Sequence, residues 1–510
     1  MVYISENKKG KKLRTLSKSK LLAYRQCSKR LWLEVHHPEL RADSAATQMS
    51  FNVGHQVGDI ARHLYDPHTN GVLIDFQTEG FDAAFVRTLT LLKSCQPIFE
   101  ASFRIEGSLA LADVMLPQEA NGKISWRMVE VKSSTSIKSY HRDDVAVQAY
   151  VAKSAGVELS GIALAHIDSD WVYPGNGDYQ GLLRENDLTD EAFARADEVQ
   201  GWINDAQVIV ASNVEPEVST GEQCGTPYEC GFLKYCRSSE PQATQPVNWL
   251  PGRFSDRLAA YIDAHNVIEL SEVPDNLLSK QQLRVKAVTL SGQTYFDQEA
   301  TARVLAEYEL PAYFMDFETI QFSVPIWEGT RPYQQIPFQF SVHKLASLSA
   351  LEQSAFLDLS GNDPSLGFAE ALIEACGTVG PIFVYNAGFE TARIRELAKR
   401  FPDMSVALLA LNERVVDLLP VARQHYYHPS QYGSWSIKKV LPALCPDLNY
   451  SDLEGVQDGS MAQTAFLEAI SLEANSIRKA ELEKQLLAYC ELDTYAMVRL
   501  WSVFTNQVVR

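Results

Sequence analysis

The chain has 510 residues, of which 46% are apolar and 22% charged, and its formal net charge is −18. A globular chain of this length is too long to fold around a single hydrophobic core, so two or three domains are expected. The acidic balance argues against a protein that coats nucleic acid by bulk charge. The sequence has no apolar run of about 18 residues and no apolar leader segment. We therefore expect neither a membrane span nor a secretory signal, and a cytoplasmic protein is the default.

Basic residues are concentrated near the N-terminus, where residues 8–30 hold ten Lys or Arg and no acid. Such a basic arm can attract phosphate locally, and a solvated basic tail explains the same composition. The composition leaves both interpretations open.

The first half of the chain has the hydrophobic patterns of an α/β region. Helices are predicted at about residues 17–36, 50–65 and 142–155, and strands at 97–105, 108–116, 124–134 and 161–168. A segment rich in Pro, Ser and Gln at 238–252 is predicted to be a linker. The first domain is therefore assigned to residues 1–240.

The second half of the chain predicts a helical region followed by another α/β region. Residues 253–305 have apolar positions at helix spacing, and 241–305 is assigned as a helical linker region. Later elements are predicted as strands at 312–320 and 337–345, a strand running into a helix at 381–389, and a long final helix at 476–504. Residues 306–510 form the second assigned domain, and the fold class is α/β.

Charged residues interrupt the apolar strands of the first domain. Glu130 and Lys132 are two residues apart on one strand and share a face, and Asp113 and Glu100 lie in the two strands before it. The three carboxylates are candidate ligands for a divalent cation such as Mg²⁺. Lys132 can orient or deprotonate an attacking water and offset charge on phosphate. A surface strand edge is the alternative explanation for the Glu130–Lys132 pair.

Eight cysteines in a chain of this length do not indicate a disulfide framework. Three of them are clustered, with five residues in each gap: Cys224, Cys230 and Cys236. Four others stand among apolar neighbours and are predicted to be buried: Cys95, Cys376, Cys445 and Cys490.

Together these features resemble the RecB-like branch of the PD-(D/E)XK nucleases, especially its CRISPR-associated and helicase-linked members with an iron–sulfur cluster. The matching segments are LSKSKLLAYRQCSKRLWLE, LALADVML, EVK, VAVQAY and CGTPYECGFLKYC. The resemblance implies a restriction-endonuclease-like fold with catalytic Lys132 and Gln148. It also implies four cysteine ligands of a [4Fe–4S] cluster: Cys27, Cys224, Cys230 and Cys236. Zinc, whose ligand pairs usually have shorter gaps, and free thiols are the alternatives.

The sequence departs from this family pattern at two positions. Gly58 stands where a metal-binding histidine is common, and His55 and His63 are the nearby histidines that can substitute or lie at the surface. Ala152 stands where the family has the tyrosine of a Gln-x-x-x-Tyr motif, and Tyr150 is the nearer tyrosine. The catalytic competence of this domain is therefore left open.

The predicted strand AYFMDFETI, residues 312–320, places Asp316 and Glu318 on one face of a run that is built to be buried. Burying unpaired charge costs several kcal/mol, so the two acids need a cation. Tyr489 and Asp493 follow the apolar stripe of the final helix at steps of three and four residues. The sequence therefore predicts one acidic pocket that holds two divalent cations.

In this order the motifs resemble the DEDD exonucleases of the ribonuclease H-like fold, in the variant with a tyrosine in the third motif. MDFETI matches the first motif, YNAGFE the second, and AYCELDTYAM the third. The resemblance implies four metal ligands: Asp316, Glu318, Glu390 and Asp493. It further implies that Tyr489 positions or deprotonates water and that cleavage proceeds inward from 3′ ends.

The second motif of that family ends in Asp, whereas this sequence has Glu390. Asp417 is therefore a back-up metal ligand, with a helix cap as its alternative role. Asn386 of the second motif is a candidate nucleic-acid contact. Lys438 and Lys439, in the segment SQYGSWSIKKVLPAL, are candidates for touching phosphate or are solvated helix residues.

Nearly the whole chain resembles a bacterial family of unknown function in which a RecB-like region is fused to such an exonuclease region. The resemblance implies a nuclease with two active sites that requires Mg²⁺ or Mn²⁺. Its implied substrate is DNA or RNA that is single-stranded or has free ends. Two alternatives stay open: a cluster-stabilised binding module that feeds a single exonuclease site, and an inactive scaffold. No membrane partner is predicted.

Overall fold

The structure is a computed structural model that describes residues 4–6, 12–471 and 473–509. Part of the predicted basic arm, residues 8–11, lies outside the described residues. The described chain divides into two compact units. Unit 1 comprises residues 1–242 and 322–334, and unit 2 comprises residues 243–321 and 335–510. Each unit mixes helices with a sheet of mixed strand direction, so the α/β class is confirmed.

Unit 1 contains the following strands: β1 Ile4–Glu6, β2 Lys12–Arg14, β3 Leu16–Ser17, β4 Val72–Leu73, β5 Ile98–Ile105, β6 Ser108–Ala120, β7 Lys123–Lys132, β8 Leu159–Ile167 and β9 Leu183–Asp187. Its helices are α1 Lys18–Gln26, α2 Ser28–His36, α3 Ala45–Tyr65, α4 Phe76–Glu79, α5 Phe81–Leu91, α6 Ser139–Ser154, α7 Thr189–Ala194, α8 Ala196–Ala211 and α9 Leu233–Ser238. The strands predicted from apolar runs are present as β5 to β8, since these runs fill both faces of the sheet.

The main sheet of unit 1 has the strand order β4, β5, β6, β7, β8, β9, with β3 paired to β6. β6 is antiparallel to both of its long neighbours, β5 and β7, whereas β7 and β8 are parallel. Helix α6 follows β7 and covers one face of the sheet through the fully buried side chains of Val145 and Ala149. This arrangement brings α6 directly over the polar residues of β7.

The helix predicted at 17–36 is two helices, α1 and α2, and the break is at Cys27. Cys27 has extended backbone, with φ −164° and ψ 126°, and serves as the C-cap of α1 and the N-cap of α2. Helix periodicity continues across the break, which is why the sequence pattern does not reveal it. The thiol of Cys27 therefore stands at a helix joint.

Residues 322–334 belong to unit 1 although the strands on either side of them belong to unit 2. Val324 is buried beside Val57 and Ile167. Tyr173 exchanges backbone hydrogen bonds of 2.9 Å with this segment, accepting from Gly329 and donating to Thr330. The local sequence pattern does not predict that this segment packs with unit 1, because it does not show which core the segment joins.

Unit 2 contains the following strands: β10 Tyr295–Phe296, β11 Ala312–Ile320, β12 Ile336–Ser347, β13 Ala350–Leu357, β14 Ile382–Val384, β15 Val415–Asp417 and β16 Tyr426–Tyr427. Its helices are α10 Asp256–His265, α11 Lys280–Ser291, α12 Gln298–Leu305, α13 Ser365–Cys376, α14 Gly388–Arg400, α15 Ser405–Asn412, α16 Leu418–His425, α17 Ile437–Leu444, α18 Gly459–Ile470 and α19 Ser476–Thr505. No helix among the described residues is both long and apolar enough to cross a membrane.

The sheet of unit 2 has the strand order β13, β12, β11, β14, β15. The first three strands are antiparallel, and β14 and β15 run parallel to β11. β11 is therefore the central strand, paired on both sides, and its side chains are enclosed by helices on each face. The long helix α19 lies against β11 and β12.

The prediction that residues 241–305 form a linker region is wrong. Val285 of α11 and Leu305 of α12 are buried in the same core cluster as Phe314 of β11 and Phe383 of β14. Composition identifies the polar break near residue 242 but cannot tell which core the helices after it will join. These helices are part of unit 2.

Three of the four cysteines predicted to be buried are buried: Cys376, Cys445 and Cys490. Cys95 is exposed, so the prediction for it is wrong. Its apolar neighbours belong to α5 and β5, whereas Cys95 itself lies in the turn that joins them. Apolar sequence neighbours indicate burial only when they share an element with the residue.

Candidate functional site

The predicted acids of unit 1 form a row across three adjacent strands. The register that pairs Phe99 with Val114 places Glu100 of β5 opposite Asp113 of β6, and the pairing of Val114 with Val129 places Asp113 beside Glu130 of β7. Burial and the charge of Glu130 raise the pKa of Asp113 and of Glu100. Asp113 also accepts a hydrogen bond of 2.7 Å from the backbone of Val131.

Two lysines compensate the acids at the end of this row. Lys18 Nζ lies 2.8 Å from Glu130 and 2.9 Å from Asp144, and Lys132 Nζ lies 2.5 Å from Glu130 and also contacts Asp144. We call these four residues the lysine–carboxylate network. Glu130 is only 1% exposed and Asp144 only 3%. The network is thus a nearly buried arrangement of two ammonium and two carboxylate groups.

The network fixes the charge of Lys132. Although burial opposes the charge, Asp144 and Glu130 raise the pKa of Lys132 well above its ordinary value. The same groups raise the pKa of Lys18. Although burial again opposes it, the two lysines hold the pKa of Glu130 below its usual range. Lys132 therefore keeps its proton in this arrangement and can act as a cation rather than as a base.

Gln148 is the predicted residue of α6 that reaches this network. Its side-chain amide donates to Glu130 and, at 3.1 Å, to the backbone carbonyl of Leu111. Tyr150, the nearer tyrosine, is directed elsewhere, because its hydroxyl donates to Gln200 of α8.

The two candidate histidines of α3 differ in their surroundings. The charge of His55 works to lower the pKa of Glu100, although burial and Glu130 raise it overall. His63 Nδ1 lies 2.8 Å from the carbonyl of Asp59 in its own helix. Both histidines are exposed.

All four predicted cluster cysteines line one pocket in unit 1: Cys27, Cys224, Cys230 and Cys236. Burial raises the pKa of Cys230, and it raises the pKa of Cys236 to about 11. The cationic side chains of Lys29 and Arg30 line the same pocket. Cys27 therefore lines the same pocket as Cys224, although the two residues are 197 positions apart in sequence (224 − 27 = 197).

In unit 2, three predicted acids converge beside the central strand. Asp316 and Glu318 extend from one face of β11, and Asp493 extends from α19. One carboxylate oxygen from each lies within 4.8 Å of the others. Among the described residues this is the one group of three potential metal ligands with such close spacing. The alternation of β11 explains the placement, because Met315 and Phe317 point away into the core.

Glu390 completes what we call the acid pocket, which comprises Asp316, Glu318, Glu390 and Asp493. Glu390 lies in the first turn of α14, is 3% exposed, and its charge raises the pKa of Asp316. Its Oε2 atom has no hydrogen-bond partner among the described residues. A buried oxygen without a partner is costly, so this atom fits a site that is completed by a ligand.

No ion pair described for unit 2 compensates the carboxyl groups of the acid pocket. Burial and the repulsion between its carboxylates raise the pKa of Asp316 well above its ordinary value and that of Glu318 to about 8. Burial also raises the pKa of Glu390 to about 8 and that of Asp493 to about 6. The ion pairs described for unit 2 include none of these acids.

Two tyrosines and a lysine border the acid pocket. The hydroxyl of Tyr450 donates to Asp493 Oδ1 at 2.5 Å. Lys438 Nζ donates to the hydroxyl of Tyr489 at 3.0 Å and lies 4.8 Å from the centre of that ring. The positive charge of Lys438 works against the raised pKa of Asp316, Glu318 and Asp493. Lys438 is thus a cation that acts on three acids of the pocket while its ammonium group is held by Tyr489.

The structure gives Asp417 the helix-capping role that the sequence left as its alternative. Its carboxylate caps α16 by accepting from Leu419 N at 2.9 Å. It also accepts from Asn386 N at 2.9 Å and Ala387 N at 3.1 Å, at the start of α14. Both oxygens are therefore engaged with backbone, and Asp417 holds the turn that presents Glu390.

The remaining predicted nucleic-acid contacts lie at the surface of unit 2. Asn386 is exposed and has a φ of 83°, a left-handed conformation that asparagine tolerates. Lys439 is exposed, and its ammonium lies 5.5 Å from the ring centre of Tyr432. Unlike Lys438, neither is described in contact with Tyr489 beside the acid pocket.

Comparison with known proteins bears on unit 2. The family described as "Domain of unknown function (DUF2779)" matches residues 313–436. No curated protein matches the chain. The matched segment includes Asp316, Glu318 and Glu390 and ends before Lys438 and Asp493.

Sequence reasoning missed three residues of these sites. Asp144 lies four residues before Gln148, so helix spacing on α6 could have placed it on the same face. Lys18 stands in a predicted helix with no partner visible in sequence. Tyr450 belongs to a short 3-10 turn, Tyr450–Asp452, where no periodic pattern points to a site.

Proposed function

We propose that unit 2 is a divalent-metal-dependent nuclease of the DEDD type, with a ribonuclease H-like fold, that hydrolyses phosphodiester bonds of nucleic acid. The observation that carries this proposal is the convergence of Asp316, Glu318 and Asp493 within 4.8 Å. Buried carboxylates at this spacing repel one another unless cations lie among them. Oxygen donors of this kind suit Mg²⁺ and Mn²⁺.

The acid pocket would hold these ions through its four carboxylates. When bound, they stabilise the attacking and leaving oxygens of the phosphodiester. Glu390 supplies an oxygen that has no other partner among the described residues. Tyr450 fixes one oxygen of Asp493 by its hydrogen bond, which leaves the other oxygen for a ligand.

Tyr489 and Lys438 act beside the metal ligands. The Tyr489 hydroxyl, fixed by the hydrogen bond from Lys438, is placed to orient the attacking water by hydrogen bonding. The Lys438 ammonium offsets the negative charge that builds up on the phosphate. Neither residue has to change its protonation state for these roles.

The proposal is tested with end-labelled single strands of DNA and RNA incubated with the full chain and Mg²⁺ or Mn²⁺. We expect the wild type to shorten one or both strands, and Glu318→Gln to lose at least about a hundredfold in rate. The exposed Glu370 of α13 supplies the matched control, Glu370→Gln, which should cleave like the wild type. Absence of cleavage by the wild type with both metals would contradict the proposal.

For unit 1 we propose a RecB-like PD-(D/E)XK domain that contributes a second nuclease site. The row of Glu100, Asp113 and Glu130 supports it, since three carboxylates on adjacent strands can hold a divalent cation. Cleavage that persists in Glu318→Gln and disappears when Glu130→Gln is added would report this site.

One observation favours a second candidate function, in which unit 1 only binds nucleic acid. Lys18 and Lys132 already neutralise Glu130 and Asp144, so this site does not need a metal ion for charge balance. Under this alternative, Glu318→Gln alone abolishes all cleavage, and unit 1 presents the strand to the site in unit 2.

We also propose that the cysteine pocket holds a [4Fe–4S] cluster through Cys27, Cys224, Cys230 and Cys236. Four thiols line one pocket together with two cationic side chains, which suits an anionic cluster. A zinc ion would draw its ligands closer together, and no group of cysteines among the described residues has the close spacing seen in the acid pocket.

The cluster proposal predicts a broad absorption band at about 400 nm in protein purified without oxygen. Cys230→Ser should lose the band, and Cys376→Ser, at a buried cysteine of unit 2, should retain it. Stoichiometric zinc without iron in the purified protein would contradict the cluster.

A further inference from the structure

Tyr140 stands at the outer end of the lysine–carboxylate network. Tyr140, Asp144 and Gln148 are spaced by four residues on α6, so they share one face of the helix. Gln148 is fully buried against Glu130, Asp144 is 3% exposed, and Tyr140 is only partly buried. The face therefore leads from the buried acid outward to the ring of Tyr140.

Tyr228, from the segment that carries three cysteines, packs against Tyr140. Its ring lies 4.8 Å from that of Tyr140 at an angle of 67°, and 44% of the residue is exposed. Gln26 of α1 fixes the segment by donating to the carbonyls of Gln223 at 2.6 Å and Tyr228 at 2.8 Å. These hydrogen bonds fix the backbone that carries the exposed ring of Tyr228.

The two rings share their surroundings with the network's lysines. Burial raises the pKa of Tyr228 and of Tyr140, and the charge of Lys132 works against that rise in both. The side chains of Lys132 and Lys18 are 21% and 19% exposed. Both rings therefore lie near the charge of Lys132.

We propose that Tyr140 and Tyr228 form a stacking platform for an unpaired nucleobase at the unit 1 site. This inference rests on the proposed action on nucleic acid and adds the two residues that bind the base. Every base has a π-face, so stacking on tyrosine accepts any sequence. A base inside a duplex is already stacked and paired, so it cannot use the platform without being exposed.

The platform also gives the cysteine pocket a role at the site. Tyr228 stands between Cys224 and Cys230, both of which line that pocket. Fixing these cysteines fixes the segment that carries the ring. Loss of the cysteines should therefore weaken base stacking as well as the folded structure.

The test compares two labelled strands of equal length and charge, one with normal bases and one with abasic residues. Binding to the full chain is measured by fluorescence anisotropy with Ca²⁺ in place of Mg²⁺, so that hydrolysis is not needed for the readout. We expect Tyr228→Ala and Tyr140→Ala to weaken binding of the base-bearing strand about tenfold and that of the abasic strand less than twofold. Tyr228→Trp should bind like the wild type.

The control is Phe51→Ala, which removes an exposed aromatic ring from α3 of unit 1 and should leave both affinities unchanged. Equal loss for the two strands in the tyrosine variants, or no loss for either, would overturn the platform. If Tyr228→Ala does not fold, Tyr140→Ala decides the matter alone. A protein that hydrolyses strands without this base preference refutes only the platform, whereas one that shows the preference without hydrolysing refutes only the nuclease proposal.

Discussion

Replacing Asp316 with asparagine is expected to stabilise the metal-free protein and to remove its response to divalent cations. Burial and repulsion from Asp493, Glu318 and Glu390 raise the pKa of Asp316 well above that of an unfolded chain. Removing one of these four carboxylates relieves the repulsion, at the expense of a metal ligand. The expected gain in unfolding free energy is about 1 to 2 kcal/mol.

The sign of the pH dependence follows from the direction of these shifts. A carboxyl group whose pKa is higher in the folded state binds its proton more tightly there, so stability falls as pH rises above the unfolded value of about 4. The loss continues up to the folded values, which are about 8 for Glu318 and Glu390. The gain from Asp316→Asn should therefore be larger at pH 8 than at pH 5.

Thermal denaturation with and without Mn²⁺ checks this prediction. The ion should raise the unfolding temperature of the wild type, because a ligand that binds only the folded state stabilises it. It should not raise that of Asp316→Asn. Asp403→Asn, at an exposed aspartate of unit 2, is the matched control and should behave like the wild type. A destabilised Asp316→Asn protein that still responds to Mn²⁺ would contradict the account.

Replacing Lys132 with methionine is expected to destabilise unit 1 strongly. The change keeps the apolar stem but removes the ammonium group that contacts both Glu130 and Asp144. Removing one partner of a nearly buried ion pair leaves an uncompensated charge, which costs about 3 to 5 kcal/mol. Thermal denaturation in EDTA should show a correspondingly lower unfolding temperature.

Two further variants separate this effect from a general loss of charge. Adding Asp144→Asn to Lys132→Met should recover part of the lost stability, because the unpaired carboxylate is then removed. Arg142→Met, which breaks an exposed ion pair between α6 and Glu191 of α7, should have little effect. A Lys132→Met protein as stable as Arg142→Met would show that the network does not form.

Much of the acid pocket is predictable from local pattern. The strand 312–320 is present with the predicted bounds because its apolar residues satisfy both faces of a central strand. Asp493 is found because helix spacing places it on the buried stripe of α19. These residues are visible in sequence because a charge at a core position conflicts with its neighbours.

Other parts of the sites depend on tertiary contacts that local pattern does not encode. Lys18 reaches Glu130 across 112 positions of sequence, and a lysine at a helix start looks like any solvated residue. Tyr450 enters the acid pocket from an irregular segment. The helices α11 and α12 were assigned to a linker region because periodicity shows that a face is apolar, not which core covers it.

The most direct test of the central claim, that the acid pocket is a divalent-cation site, is calorimetric titration of the full chain with Mn²⁺ at pH 7. Comparing buffers with different ionisation enthalpies counts the protons released on binding. Because the pKa of Glu318 and of Glu390 is about 8, these groups hold protons at pH 7 that a bound cation displaces. We predict saturable binding with proton release in the wild type and neither in Asp316→Asn. The absence of saturable binding, or binding that Asp316→Asn leaves unchanged, would contradict the account.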